Sequence, residues 1–305
     1  MSDAIFDVHT HPLLPTYVQA LTGESGSADG VTLPPWSAEQ HIEVMDQHGI
    51  DVGILSQPAL AEHLVGSEGQ AIARQINEEL AALVAQYPSR FGAFAVVLMD
   101  DMDAAIEEMT YALDVLKLEG LGVSTHRGGK YLGEPEYDPW FDEMNRRGVT
   151  LFVHPVAPDY FDVETSRINV SVLEFMFDST RMVTNLVLSG TKQRFDQINI
   201  ISTHGGGTLP YLAHQISIAD PNVLGVSRQC QANRIISASD YRSDSRVELD
   251  EHQPGQWRSH QPLGHSRQWQ GASLCDSSAS QWSSRTCGYR AAGKGCHQYL
   301  DKRGD

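Results

Sequence analysis

The sequence predicts an α/β chain of the (β/α)8 TIM-like barrel class, incomplete at its C-terminal end. Three observations carry that expectation. From residue 1 to about 215, short apolar runs alternate with stretches of helical period. Six such units follow one another, as in a barrel that has run through most of its strands. Beyond about residue 225 the alternation stops. A chain of 305 residues is long enough for one large domain with a real core.

The expected strands are Ile5–Val8, Val52–Ser56, Phe91–Leu98, Leu121–Ser124, Val149–Val153 and Ile198–Ser202. Each is short, apolar and bounded by turn or helix signals, as strands buried on both faces should be. Between them, Ala71–Gln86 and Met102–Leu118 read as helices. In the second, Ala105, Met109, Ala112, Leu113 and Leu116 fall on one apolar face. Tyr87-Pro88 ends the first helix, and Asp100 or Asp101 can cap the second. Gly23 to Pro35 is rich in Gly, Ser and Pro and reads as an active-site loop after the first strand.

Residues 1–225 are thus expected to form the barrel, and 226–305 an atypical tail. Residues 241–305 hold nine basic and seven acidic side chains, so the net charge of −17 resides upstream. All four cysteines (Cys230, Cys275, Cys287, Cys296) and three of the five tryptophans lie in the last quarter. No cysteine pair has the Cys-x-x-Cys spacing of a zinc knuckle or redox motif. Disordered segments are poor in Trp and Cys, and no helical or strand period persists here. A reading-frame change near residues 225–240 is one account of the tail; a divergent C-terminal extension is the other.

The acidic balance argues against nucleic acid, whose phosphates require clustered Lys and Arg. It leaves room for a small anionic substrate held by one or two local Arg residues. No apolar run reaches the length of a membrane span, and no basic, apolar leader precedes the first strand, so a cytoplasmic location is expected.

The chemistry gathers at strand ends. Asp7-Val8-His9-Thr10-His11-Pro12 closes the first strand, and residues two apart on a strand point to one side. His154 ends the strand Leu151–Val153, and His204 follows Ile200–Thr203 and precedes Gly205-Gly206-Gly207. Barrel enzymes place their chemistry at the C-terminal ends of strands. Four histidines at three such ends point to a metal site, whereas one alone would more often be a packing or surface residue. His41, His48, His63, His126 and His214 lack this placement, and His252, His260, His265 and His297 lie in the tail.

At these residues the chain resembles the amidohydrolase superfamily. It is similar to the aminocarboxymuconate-semialdehyde decarboxylase-like branch, and within that branch to the 6-methylsalicylate decarboxylases. The resemblance rests on Phe6–Pro12, Pro35-Trp36-Ser37, Tyr87–Gly92, Lys130-Tyr131-Leu132-Gly133, Leu173–Arg181 and His204–Leu212. It implies that His9, His11 and His154 are metal ligands and that His204 moves protons beside the metal. It also implies an Asp as fourth ligand in a Gly-Ser-Asp setting. Asp240 is the nearest counterpart, only 36 residues after His204. The Arg that tends to follow Pro-Tyr in the family is here Gln215.

The implied reaction is the metal-dependent, non-oxidative decarboxylation of a small aromatic or unsaturated carboxylic acid, 6-methylsalicylate-like. Proton delivery to the carboxylate-bearing carbon releases CO2. Zinc suits a histidine-rich set, and manganese becomes the alternative as oxygen ligands increase. Arg181 is a candidate grip for the substrate carboxylate, with pairing to Asp178 or Glu174 as its structural alternative. Trp36 is a candidate pocket wall, or else a packing corner. The resemblance further suggests a homodimer or higher assembly. Two other readings stand beside this one: a hydrolase (lactonase or amidohydrolase) on the same scaffold, and an inactive, truncated barrel.

The frame-change account predicts that the source gene holds, in another register past the codons for 225–240, an open frame encoding further strands. Sequencing that gene checks it, and a gene without such a frame leaves only the divergent extension.

Overall fold

A computed structural model of the chain describes residues 4–23, 27–28, 31–58, 64–158, 160–161, 168–219 and 235–237. Residues 1–262 and 263–305 form separate units, and the second lies wholly outside the described residues, as do Asp240 and the four cysteines.

The chain runs through β1 (Phe6–Thr10), α1 (Pro15–Thr22), β2 (Ser27–Ala28), β3 (Val31–Thr32), α2 (Ala38–His48), β4 (Val52–Leu55) and α3 (Gly66–Gln86). It continues with β5 (Phe91–Val96), α4 (Met102–Asp114), β6 (Gly120–Ser124), β7 (His126–Arg127), β8 (Lys130–Tyr131) and α5 (Asp138–Arg147). The last elements are β9 (Thr150–His154), α6 (Val170–Leu188), α7 (Thr191–Arg194), β10 (Asn199–Ser202), α8 (Leu209–Ala219) and β11 (Ile235–Ser237). Seven strands form one sheet in the order β1-β4-β5-β6-β9-β10-β11, and every pairing in it is parallel. The sheet curls as a partial barrel with helices on its outer face. Among the described residues β11 and β1 are not joined.

All six expected strands are present, within two residues at most ends. The first helix starts at Gly66, earlier than Ala71, because Gly66-Ser67-Glu68-Gly69 carries turn-like residues into a helix. The second ends at Asp114, and Lys117 beyond it is left-handed (φ 61°), which stops helical continuation before Leu118. Asp101 caps that helix, accepting from the amides of Asp103 and Ala104. The Gly23–Pro35 segment holds the antiparallel ribbon β2–β3. Strand β11 adds a seventh parallel strand beside β10.

Two apolar layers follow from the strand period. Outward side chains such as Ala93, Leu121, Leu151 and Ile200 pack against the helices. A second cluster comprises Val8, Val52, Ile54, Phe94, Phe152 and Ile201, with Phe6 against it. Its members come from five strands and no helix, so it fills the inner, concave face. Phe94 and Phe152 stack there with ring centroids 5.4 Å apart. This layer is the floor beneath the strand ends.

Strand β1 departs from simple alternation. Asp7 pairs with Gly53 and Thr10 with Leu55, so three steps in β1 match two in β4. One extra residue is inserted, a β-bulge. Phe6 and Val8 face the inner layer, and after the bulge His9 faces inward too, its ring 5.5 Å from that of Phe152.

The rim is clamped by buried polar side chains. Asn77 of α3 donates to the Val96 carbonyl (2.8 Å) and accepts from the Val96 amide (2.7 Å), while its Nδ2 also donates to Glu108 (2.7 Å). Arg74 completes the group by pairing with Glu108 at 2.6 Å. Among the described residues no helix is long and apolar enough to cross a membrane.

Replacing Asn77 with Ala should strip both backbone groups of Val96 of their partner. A buried unpaired polar group costs about 1–3 kcal/mol, so a loss of about 3 kcal/mol is expected in denaturant unfolding. A loss below 1 kcal/mol would contradict this role.

Candidate metal and proton-transfer site

The site is assembled where β1, β9 and β10 end. His9 lies in β1 and His11 just beyond it, His154 is the last residue of β9, and His204 opens a short 3-10 turn two residues after β10. The His9 ring centroid is 4.8 Å from that of His11, 5.4 Å from His154 and 5.0 Å from His204. His154 lies 5.1 Å from His11 and 5.3 Å from His204. The four expected histidines are therefore brought together. His9, His154 and His204 each offer a nitrogen within 4.8 Å of the others. His11 is not in that group, although its ring neighbours those of His9 and His154.

Hydrogen bonds fix the tautomers. Nδ1 of His11 is 2.8 Å from the Ser56 carbonyl oxygen, and Nδ1 of His154 is 2.8 Å from that of Pro155. A carbonyl only accepts, so both Nδ1 atoms carry the proton and both Nε2 atoms keep a lone pair. Thr203 Oγ1 donates to the Val153 carbonyl (3.1 Å) and so accepts from Nδ1 of His204 at 3.0 Å. His204 thereby also presents Nε2. Such outer partners orient imidazoles for metal binding.

The same environment keeps the rings neutral. Burial, then the neighbouring His11 and His204, hold His9 down to about 4. Burial lowers His11, against the opposing effects of the Ser56 hydrogen bond and of Asp7. His154 is held well below the ordinary imidazole value, chiefly by burial and then by His11. Burial and then His11 lower His204. Neutral imidazoles with free Nε2 lone pairs, converging from three strand ends, fit a divalent transition metal.

The loop bearing His204 is conformationally costly. His204 is left-handed (φ 53°), and Gly205, Gly206 and Gly207 follow with φ of 67°, 75° and 67°. A Cβ on Gly207 would lie 2.1 Å from the Met176 carbonyl oxygen, so only glycine lets this loop lie against α6. Sparsely populated backbone held by its surroundings gathers at functional sites.

Helix α6 supplies the wall. Phe175 packs against His154 and His204, with ring centroids 5.6 and 5.7 Å away. One turn on, fully buried Asp178 accepts from the Thr125 hydroxyl, from Tyr131 Oη (2.5 Å) and from the Val156 amide (3.2 Å). Thr125 N–H in turn donates to the His154 carbonyl (3.1 Å). Asp178 therefore positions the backbone on both sides of His154. Phe175 and Asp178 lie inside the Leu173–Arg181 segment, but nothing in the sequence alone separated them from the rest of that helix.

The two substrate candidates sit differently. Trp36 Nε1 donates to His41 Nδ1 (3.1 Å), and His41 Nε2 lies 2.9 Å from Thr10 Oγ1, between the two β1 histidines. Trp36 is thus tied to β1 through His41, a residue whose helical context gave no functional signal. Arg181 is 41% exposed, with Nη1 3.9 Å from Glu174 and its guanidinium 5.5 Å from the Tyr160 ring.

The amidohydrolase family model matches residues 6–234. The chain belongs to the amidohydrolase family. Among relatives, it is 36% identical over 221 residues to a protein named decarboxylase yanB from Aspergillus niger, covering 68% of this chain. It is 33% identical over 238 residues to the 6-methylsalicylic acid decarboxylase of Penicillium expansum, covering 74% of this chain and 72% of the relative. The match spans 60% of the length of the Aspergillus niger protein. Among solved structures, a dihydroxybenzoic acid decarboxylase from Polaromonas sp. JS666, with bound manganese and 2-nitroresorcinol, shares the fold. Its TM-score is 0.60 at 22% identity, over 70% of this chain and 69% of that one. The match to the family model includes all four strand-end histidines and stops before Asp240.

The lowered imidazole values carry a pH consequence. An unfolded histidine takes a proton near pH 6.5, whereas folded His9 does so only near 4. The unfolded state of the metal-free protein then binds more protons between these values, and stability falls as pH drops from about 6.5 towards 4. Thermal unfolding of metal-free protein should show this, with a shallower slope in His9→Gln. Identical slopes would contradict it.

Proposed function

We propose that this amidohydrolase-family chain is a metal-dependent, non-oxidative decarboxylase of a small aromatic carboxylic acid, 6-methylsalicylate-like. The observation that carries the reading is the convergence of four histidines at three strand ends, three of them (His11, His154 and His204) with tautomers fixed by hydrogen bonds. The names of its relatives support the choice of decarboxylation over hydrolysis.

In this proposal His9, His11 and His154 hold the ion and His204 handles the proton. Zinc is favoured because the donor set is imidazole-rich, with manganese the alternative. The ion supplies a Lewis acid that binds the substrate's oxygens and stabilises negative charge. His204 is suited to proton transfer because Thr203 keeps Nδ1 protonated and leaves Nε2 free to take up and release a second proton. Delivery of that proton to the carboxylate-bearing ring carbon suspends aromaticity. The C–C bond then breaks, its electron pair returns to the ring, and CO2 departs. Such proton transfer contributes about 10²–10⁴-fold in rate.

Phe175 shields the site from water on the α6 side, and Trp36 serves as pocket wall from the first loop. Arg181 is the candidate carboxylate grip, released for that task by its loose 3.9 Å pairing with Glu174. Every residue given a part lies within residues 1–225; residues 226–305, which add β11 to the sheet, stand as a tail outside the chemistry. A cytoplasmic homodimer or higher assembly completes the reading.

The test separates the roles. His9→Ala should lose bound metal by elemental mass spectrometry, while His204→Ala should retain it and lose at least 10²-fold in CO2 release from 6-methylsalicylate. Full metal retention in His9→Ala removes it from the ligand set. Metal loss in His204→Ala would make His204 a ligand with His9 and His154. Ring opening without CO2 from a lactone substrate would favour a hydrolase.

A further inference from the structure

We infer that Gln57 reads a ring hydroxyl of the substrate: its buried Oε1 accepts a hydrogen bond from a hydroxyl group carried by the aromatic acid. A cavity opens at the C-terminal ends of β4, β5 and β6, lined by Gln57, Val96, Leu98, Met99, Gly122 and Arg127 among others. Its walls are mostly apolar. The one cation, Arg127, is already engaged by Asp100 (2.8 Å) and by the Leu64 carbonyl. Its charge therefore does not call for an anion.

Gln57 differs from the other lining groups. It is 4% exposed, and Oε1 has no hydrogen-bond partner among the described residues. Its orientation is set by chemistry. Nε2 donates to the Pro12 carbonyl at 2.8 Å, and the flipped amide would set two acceptors against each other. The amide nitrogen thus anchors Gln57 to the loop directly after His11, and the oxygen is left as a fixed acceptor. A buried acceptor without a donor costs about 1–3 kcal/mol. The group that relieves it must bring an N–H or O–H into an apolar setting. A carboxylate, which only accepts, is the wrong chemistry.

Gln57 is linked to His11 through neighbouring residues. Ser56, the residue before Gln57, accepts from His11, and Pro12 follows His11. A ring held by its carboxylate at the histidines can thus send a substituent to Gln57. The inference takes its ligand class from the proposed reaction, so a ring hydroxyl is the donor. A site built to hydrogen-bond a hydroxyl rejects the analogue without one more strongly than an apolar pocket rejects an added hydroxyl.

The experiment is calorimetric binding of salicylates bearing either hydroxyl or methyl at each remaining ring position, with zinc-loaded full-length protein. At one position wild type should bind the hydroxyl compound at least tenfold tighter than its methyl partner. Gln57→Met, which keeps volume and loses the acceptor, should bring that ratio to about one at that position alone. Metal content of the variant, checked alongside, reports whether the His11 loop is intact. Should the variant fail to fold, the wild-type ratio decides by itself. Equal affinity of each pair in wild type, as for an oxygen already satisfied by water, would overturn the inference, and so would binding of none of the panel. Hydroxyl preference without CO2 release would overturn the proposed reaction and leave this inference standing; CO2 release without the preference would do the reverse.

Discussion

One inserted residue in β1 is the constraint on which the site depends. A regular strand with Phe6 and Val8 facing the inner layer would turn His9 and His11 outward, towards the helices. The bulge between Asp7 and Thr10 reverses that parity. It lets a short strand carry an apolar floor at one end and the His9–His11 pair at the other. Thr10, now facing outward, meets His41 and through it Trp36. The bulge thus also determines what holds the first loop.

Above the floor, energetics favour neutral ligands. Four imidazoles with neighbouring centroids about 5 Å apart, half-buried to buried, cannot all be protonated without strong mutual repulsion. Desolvation acts in the same direction for each ring. Carbonyl acceptors at Ser56 and Pro155, and the Thr203 hydroxyl, hold the Nδ1 protons in place. The protein alone therefore leaves Nε2 of His11, His154 and His204 with a free lone pair. Asp178, working through Thr125 and Val156, keeps the His154 backbone from relaxing away from this arrangement.

The parts of this design visible in the sequence were those written in local pattern. The six strands showed because each is a short apolar run, and the strand-end histidines because Pro or Gly follows His11, His154 and His204. The bulge left no such mark. A spacing of two between His9 and His11 reads as same-side in a regular strand whether or not an extra residue precedes it. Gln57, Phe175 and Asp178 were hidden for a different reason: their roles come from contacts across 21 to 53 residues of chain, such as Phe175 to His154 and Asp178 to Thr125. Asp178 was weighed only as a partner for Arg181, yet its carboxylate turns inward, and Glu174 takes the guanidinium instead.

The division of labour around the ring follows from where polarity is affordable. On the β1, β9 and β10 side, nitrogen lone pairs are concentrated, and those of His11, His154 and His204 are backed by a hydrogen bond on the opposite ring atom. On the β4, β5 and β6 side the walls are Val96, Leu98, Met99 and Gly122, and the buried Gln57 oxygen stands among them. An aromatic acid has the matching asymmetry, with charge at one edge and carbon over most of the rest. Gly122 lies in that wall, where a Cβ would make only ordinary van der Waals contact with Phe94, at 3.6 Å. Phe94 stacks on Phe152, and Phe152 meets the His9 ring edge to face. Apolar contacts therefore run from the Gly122 wall through Phe94 and Phe152 to His9, and a change in packing at one end is carried to the other by direct contact.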